Sequence, residues 1–188
     1  MNAHGCLLPL ACALVATVLA GPALGGSGAR AEPATPPQQL PIEARWCPES
    51  RPAAEPASRQ APPPQGCVAL EVPRTWHQHR LGLQMRPPLP AGRGMWFAYR
   101  PAQAARFWMH RTPQPLDIVF VQQERVIAIQ AAAPPCMRLP CPSYGPDRPV
   151  DGVLELGTGE AARLGLVLGS PLRVDLLRPF GPQAPAPD

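Results

Sequence analysis

From Cys67 to Leu177 short strand-like apolar runs recur between turn residues, and the first of them alternates as a strand with one wet face. "CVALEVP" sets Val68, Leu70 and Val72 against Ala69 and Glu71. "GMWFAY" (94–99), Arg106–Met109, Leu116–Val121, "VIAIQA" (126–131), Val150–Leu156 and Pro171–Leu177 read as further strands. "QQER" (122–125) joins two of them as a hairpin. Two short helices are expected: "WHQHRLGL" behind Thr75 as N-cap, and "GEAARLGL" behind Thr158, ending at Gly165. Short strands at regular spacing with tight turns predict a mainly β fold, a single compact barrel or sandwich with two minor helices.

Outside that window the pattern is lost. The run "LLPLACALVATVLA" (7–20) is shorter than the roughly 20 residues of a membrane span, and "ARA" (29–31) follows it as a small-x-small cleavage signal. Residues 1–31 are therefore expected to be a signal peptide, leaving a periplasmic or secreted protein without a transmembrane span. Residues 32–66 read as a proline-rich linker and 178–188 as a flexible tail. Trp46, beside Cys47, is the exception within the linker, placed to dock if Cys47 bonds to Cys67.

Composition changes this picture in two ways. The 188 residues carry a formal charge of +4, all 17 basic residues being Arg, without a basic run interleaved with aromatics. Nucleic acid is not an expected partner. Of six cysteines, Cys6 and Cys12 fall in the leader, so an oxidising compartment receives Cys47, Cys67, Cys136 and Cys141. Three pairings are open. Cys47–Cys67 and Cys136–Cys141 are the natural choice, each closing a proline-rich loop, and the rivals are a metal site or a redox pair. "CMRLPC" (136–141) lacks the two-residue spacing of a redox pair.

Three blocks, "LGLQMRPPLPAGRGMWF" (81–97), "FWMHRTPQPLDIVFV" (107–121) and "VLELGTGEAARLGLVLGSPLRV" (153–174), resemble the signature blocks of the DUF192 family, also called UPF0127, in order and spacing. The insertion "PPCMRLPCPSYGP" (134–146) resembles the version in cyanobacterial members. The resemblance implies a jelly-roll-like β-fold for 67–177 and no particular activity. In two places the chain departs from the family pattern. Gln84 follows Gly82-Leu83 where Met is usual, and Arg111 stands where the family has Asn before Thr112.

Candidate chemistry gathers in 106–121. Phe107 and Met109 share one strand face and Trp108 takes the other, offering a flat apolar wall. Asp117 enters an apolar strand and needs a partner, for which Arg86 and Arg111 are available. Glu155, inside "VLELG", poses the same question. Tyr144, in the stiff "CPSYGPDRP" loop, is expected to close over one end of the domain. His77 and His79 lack neighbouring ligands and make a poor metal site, and a Cu(I) cluster of Met and His residues is not favoured, so no metal or other cofactor is expected. The ligand-binding candidates are thus Arg86, Trp108, Met109, Thr112, Asp117 and Tyr144. The expected function is a non-catalytic module that binds a small molecule or glycan. One alternative is a small hydrolase using Asp117 with Glu155 or His110, positioned by Arg86. The other is a structural partner in an envelope complex, which predicts an exposed apolar patch and no pocket.

Overall fold

The computed structural model describes residues 36–48 and 66–180. The expected signal peptide (1–31), residues 32–35 and 49–65 of the linker and the tail from 181 lie outside the described residues. The strands are β1 (Ile42–Trp46), β2 (Val68–Glu71), β3 (Arg93–Gln103), β4 (Phe107–Trp108), β5 (Leu116–Gln122), β6 (Arg125–Ala133), β7 (Ser143–Tyr144), β8 (Val150–Gly157) and β9 (Asp175–Leu176). The helices are α1 (Trp76–Leu81) and α2 (Glu160–Arg163). Seven strands form one sheet in the order β6-β5-β8-β3-β2-β1-β9, and β4 and β7 form a separate pair. All pairings are antiparallel except β2 with β3. β6 and β9 remain as edges, so the mainly β fold with two short helices is as expected but the sheet does not close into a barrel.

Side-chain alternation across β3, β8 and β5 divides the core in two. Met95, Glu155 and Ile118 stand side by side, as do Phe97, Val153 and Phe120. These rows share a face with Leu83, Met109, Leu116 and Val150. Trp96, Leu154 and Val119 form a row on the opposite face, together with Ala44, Trp46, Leu70, Leu164 and Leu172. Each large apolar side chain buried in these layers contributes about 1.5–3 kcal/mol relative to exposure. Gly152 is required in the second layer: a Cβ there would lie 1.9 Å from the Trp96 ring.

Three local expectations change. β1 lies inside the stretch read as linker, with Ala44 and Trp46 buried and Trp46 opposite Val68. Cys47–Cys67 is a disulfide, as is Cys136–Cys141. Docking of Trp46 thus accompanies the bridge. The N-cap of α2 is Gly159, φ +80, rather than Thr158, and the helix has four residues. The last strand shrinks to Asp175–Leu176, with Pro171 making a single bridge to Arg125. By contrast, Thr75 caps α1 as expected: its hydroxyl accepts from Gln78 N at 3.2 Å, and Gln78 Oε1 accepts from Thr75 N at 3.1 Å. This reciprocal box matters for a six-residue helix, which propensity alone would not hold. The Gln38 side chain closes the other end, donating to the carbonyls of Gln78 (2.8 Å) and Gly82 (2.9 Å). Gly82 then leaves the helix at φ +47, a conformation suited to glycine.

A cleft between the first helix and the third strand

A cleft of about 470 Å³ opens on the Glu155 face. α1 supplies one wall with Trp76, His79 and Arg80, and the residues after it add Gly82, Leu83 and Gln84. β3 supplies Phe97, Tyr99, Arg100 and Gln103. Arg106, Phe107 and Trp108 form the far side, with Thr112 and Glu155 also in the lining. Trp76 and Trp108 are 44 % and 47 % exposed, an unusual state for indoles. The Arg80 guanidinium lies 4.6 Å from the centre of the Trp76 ring, a cation–π contact across one helical turn.

Glu155 is the chemical anomaly. It is 5 % exposed, and its Oε2 has no hydrogen-bond partner among the described residues. Its neighbours in register, Met95 and Ile118, are apolar. Burial pushes the carboxyl up to about 8, so at neutral pH it holds its proton and acts as an O–H donor. Burial likewise pulls the His79 imidazole below its usual value, against a hydrogen bond to the Pro73 backbone that favours the proton. Neutral His79 has one donor and one acceptor nitrogen. Its Nε2 is buried and unpartnered, and with the other nitrogen engaged at Pro73 it is the acceptor. Phe97 and Tyr99 hold the ring, at 5.6 and 5.8 Å between centroids. The Tyr99 hydroxyl is driven well up by burial and, secondarily, by the Glu155 charge.

The six expected site residues separate. Trp108 and Thr112 line the cleft. Met109 is 1 % exposed and belongs to the core beneath it. Tyr144 pairs through β7 with Phe107 of β4, so the disulfide loop braces the far wall without entering the lining. Arg86 is buried in a salt bridge to Glu71 at 2.7 Å, away from Asp117. Asp117, 1 % exposed, points to the opposite face of the sheet because its register partner is Leu156, not Glu155. There its Oδ1 accepts from Ala132 N at 2.9 Å and its Oδ2 from Ala161 N at 3.0 Å. Ala132, φ +47, lies in a bulge of β6, and Ala161 lies in the first turn of α2. Asp117 therefore satisfies two backbone donors and needs no arginine.

That His79 and Glu155 line one cleft was not legible, because the pairing of distant segments, not local pattern, brings them there. Arg111 has φ +54, the left-handed region that Asn adopts more readily than Arg, and it is absent from the cleft lining. Backbone geometry thus suits the Asn of the family pattern, and nothing in the structure explains the Arg found here.

Comparisons with known proteins agree with this fold. A crystal structure of a protein of unknown function from Novosphingobium aromaticivorans DSM 12444 is 30 % identical, with a TM-score of 0.56, covering 76 % of this chain and 94 % of that one. A second, from Sinorhizobium meliloti 1021 and described as a "putative transcription regulator", is 22 % identical, with a TM-score of 0.58, covering 74 % of this chain and 97 % of that one; it supports the fold alone. No curated protein matches. The family model DUF192, described as an uncharacterized ACR, matches residues 60–174. That match spans all three signature blocks, and the chain belongs to the DUF192 family.

Proposed function

We propose that this protein is an extracytoplasmic, non-catalytic module that binds a small molecule in the cleft between α1 and β3. The observation that carries the reading is Glu155, whose side chain lines an open cleft and whose buried Oε2 has no partner among the described residues. An unmet buried hydrogen-bonding group costs about 1–3 kcal/mol, and a ligand atom bonded to it recovers that cost. Exposed Trp76 and Trp108 supply flat walls, as binding clefts commonly do. The location rests on the leader-like run at 7–20, on cleavage near Ala31 and on two disulfides suited to an oxidising space. Among the described residues no helix is long and apolar enough to cross a membrane.

The hydrolase alternative, Asp117 with Glu155 or His110, loses support because both Asp117 oxygens are taken by backbone N–H groups on the face away from Glu155 and neither Asp117 nor His110 lines the cleft, and a structural envelope partner would not need the cleft. Native mass spectrometry of the protein purified from its own host, compared with the denatured sample, tests the reading. The expected result is a small-molecule increment present only in the native spectrum and lost in Trp108→Ala. Equal native and denatured masses, or a protein-sized increment, would overturn it.

A further inference from the structure

We infer that the ligand of this cleft is an acidic sugar, a pyranose ring carrying one carboxylate, an inference that rests on the binding reading above. Charge is the first argument. Four arginines line the cleft. Arg74 is engaged by Glu43, and Arg106 by Asp147 and the Gly145 carbonyl. Arg80 and Arg100 have no carboxylate partner among the described residues, and both are exposed at the mouth. Glu155 is the one carboxyl in the lining, and buried without a cationic partner it contributes a proton rather than a negative charge. The cleft is therefore a cationic mouth over a neutral floor, and a guanidinium matches a carboxylate in planar geometry.

The floor and walls narrow the class. Glu155 offers a donor and His79 Nε2 an acceptor, and neither is satisfied within the protein. A hydroxyl both donates and accepts, so a ring edged with hydroxyls meets both needs, where an aromatic acid, whose carboxylate only accepts, has no donor for His79 Nε2. The two exposed indoles suit the apolar C–H face of such a ring. A cleft of about 470 Å³ falls in the size range of small-molecule sites.

Titration of the full chain at pH 6.5, followed by tryptophan fluorescence and calorimetry, tests this with glucuronate, galacturonate, glucose, galactose and benzoate. At least one uronate is expected to bind ten-fold or more tightly than its neutral sugar. The double variant Arg80→Gln/Arg100→Gln, which alters only exposed side chains, is expected to bring the two within about two-fold. A neutral sugar binding as tightly as its uronate would overturn the acidic requirement while leaving a binding module intact. Benzoate matching the uronates would overturn the sugar assignment. Failure of every probe would overturn the inference altogether, and the native-mass comparison would then decide the binding reading independently.

Discussion

Asp117 and Glu155 are carboxyl groups on neighbouring strands, one residue apart in register, on opposite faces of one sheet. Asp117 has a backbone N–H for each oxygen and holds a strand bulge and a helix start in place. Glu155 has an oxygen with no partner, keeps its proton and borders a cleft. Nearly equal burial thus leads to opposite roles, and partner count is what separates them. A saturated buried carboxylate acts as a fastener, whereas an unsaturated one has bonding capacity left for another molecule.

The comparison breaks most visibly at Asp117. Asp117→Ala leaves Ala132 N–H and Ala161 N–H without acceptors and is expected to cost about 3–5 kcal/mol, read by urea denaturation. A cost below about 1 kcal/mol would mean that Asp117 is no fastener.

Glu155 should reveal itself through pH. Its ordinary value is 4.5 and its folded value about 8, so between them the folded protein holds a proton that the unfolded chain releases. Stability from this group is full below the lower value and is lost as pH rises towards the upper one. His79, lowered from 6.5, acts oppositely, its contribution being lost as pH falls below that value. Above about pH 6.5 Glu155 acts without that opposition, and stability is expected to fall by roughly 2 kcal/mol by pH 8, at about 1.4 kcal/mol per pH unit. Glu155→Gln should flatten the decline in the same denaturation series; an unchanged slope would show that Glu155 ionises normally.

The smallest effect on stability belongs to the rim. Trp108→Ala removes a half-exposed ring and should change stability by less than about 0.5 kcal/mol while abolishing capture of the bound molecule. A loss of several kcal/mol in thermal or chemical melts would make Trp108 a core residue after all.

Much of the fold was legible because short apolar runs bounded by turn residues mark β3, β5 and β8 directly, and turn and cap chemistry marks the hairpin and Thr75. β1 escaped because five residues between proline-rich stretches give too short a pattern, with Trp46 and Cys47 as the sole cues. The site was less legible. Whether Asp117 faces Glu155 or Leu156 depends on strand register, where a shift of one residue reverses the face, and no local pattern specifies that register. His79 is equally opaque, since its surroundings come from β3, not from its own helix. That Trp108 could form a wall was legible because an exposed aromatic strand position needs little context, whereas Thr112, buried in the same lining, carries no such signal.

The Cys47–Cys67 bridge joins residues flanking a paired position, Trp46 opposite Val68. The segment 49–65 therefore starts and ends beside one point of the sheet. A protease cut within it would yield two pieces that stay together until a reductant is added, with the cleft complete. The first piece would keep Gln38, and with it the side chain that closes the end of α1. The covalent start of the β-domain thus precedes the proline-rich stretch, and trimming the protein to Cys67 would remove a strand and loosen one wall of the cleft.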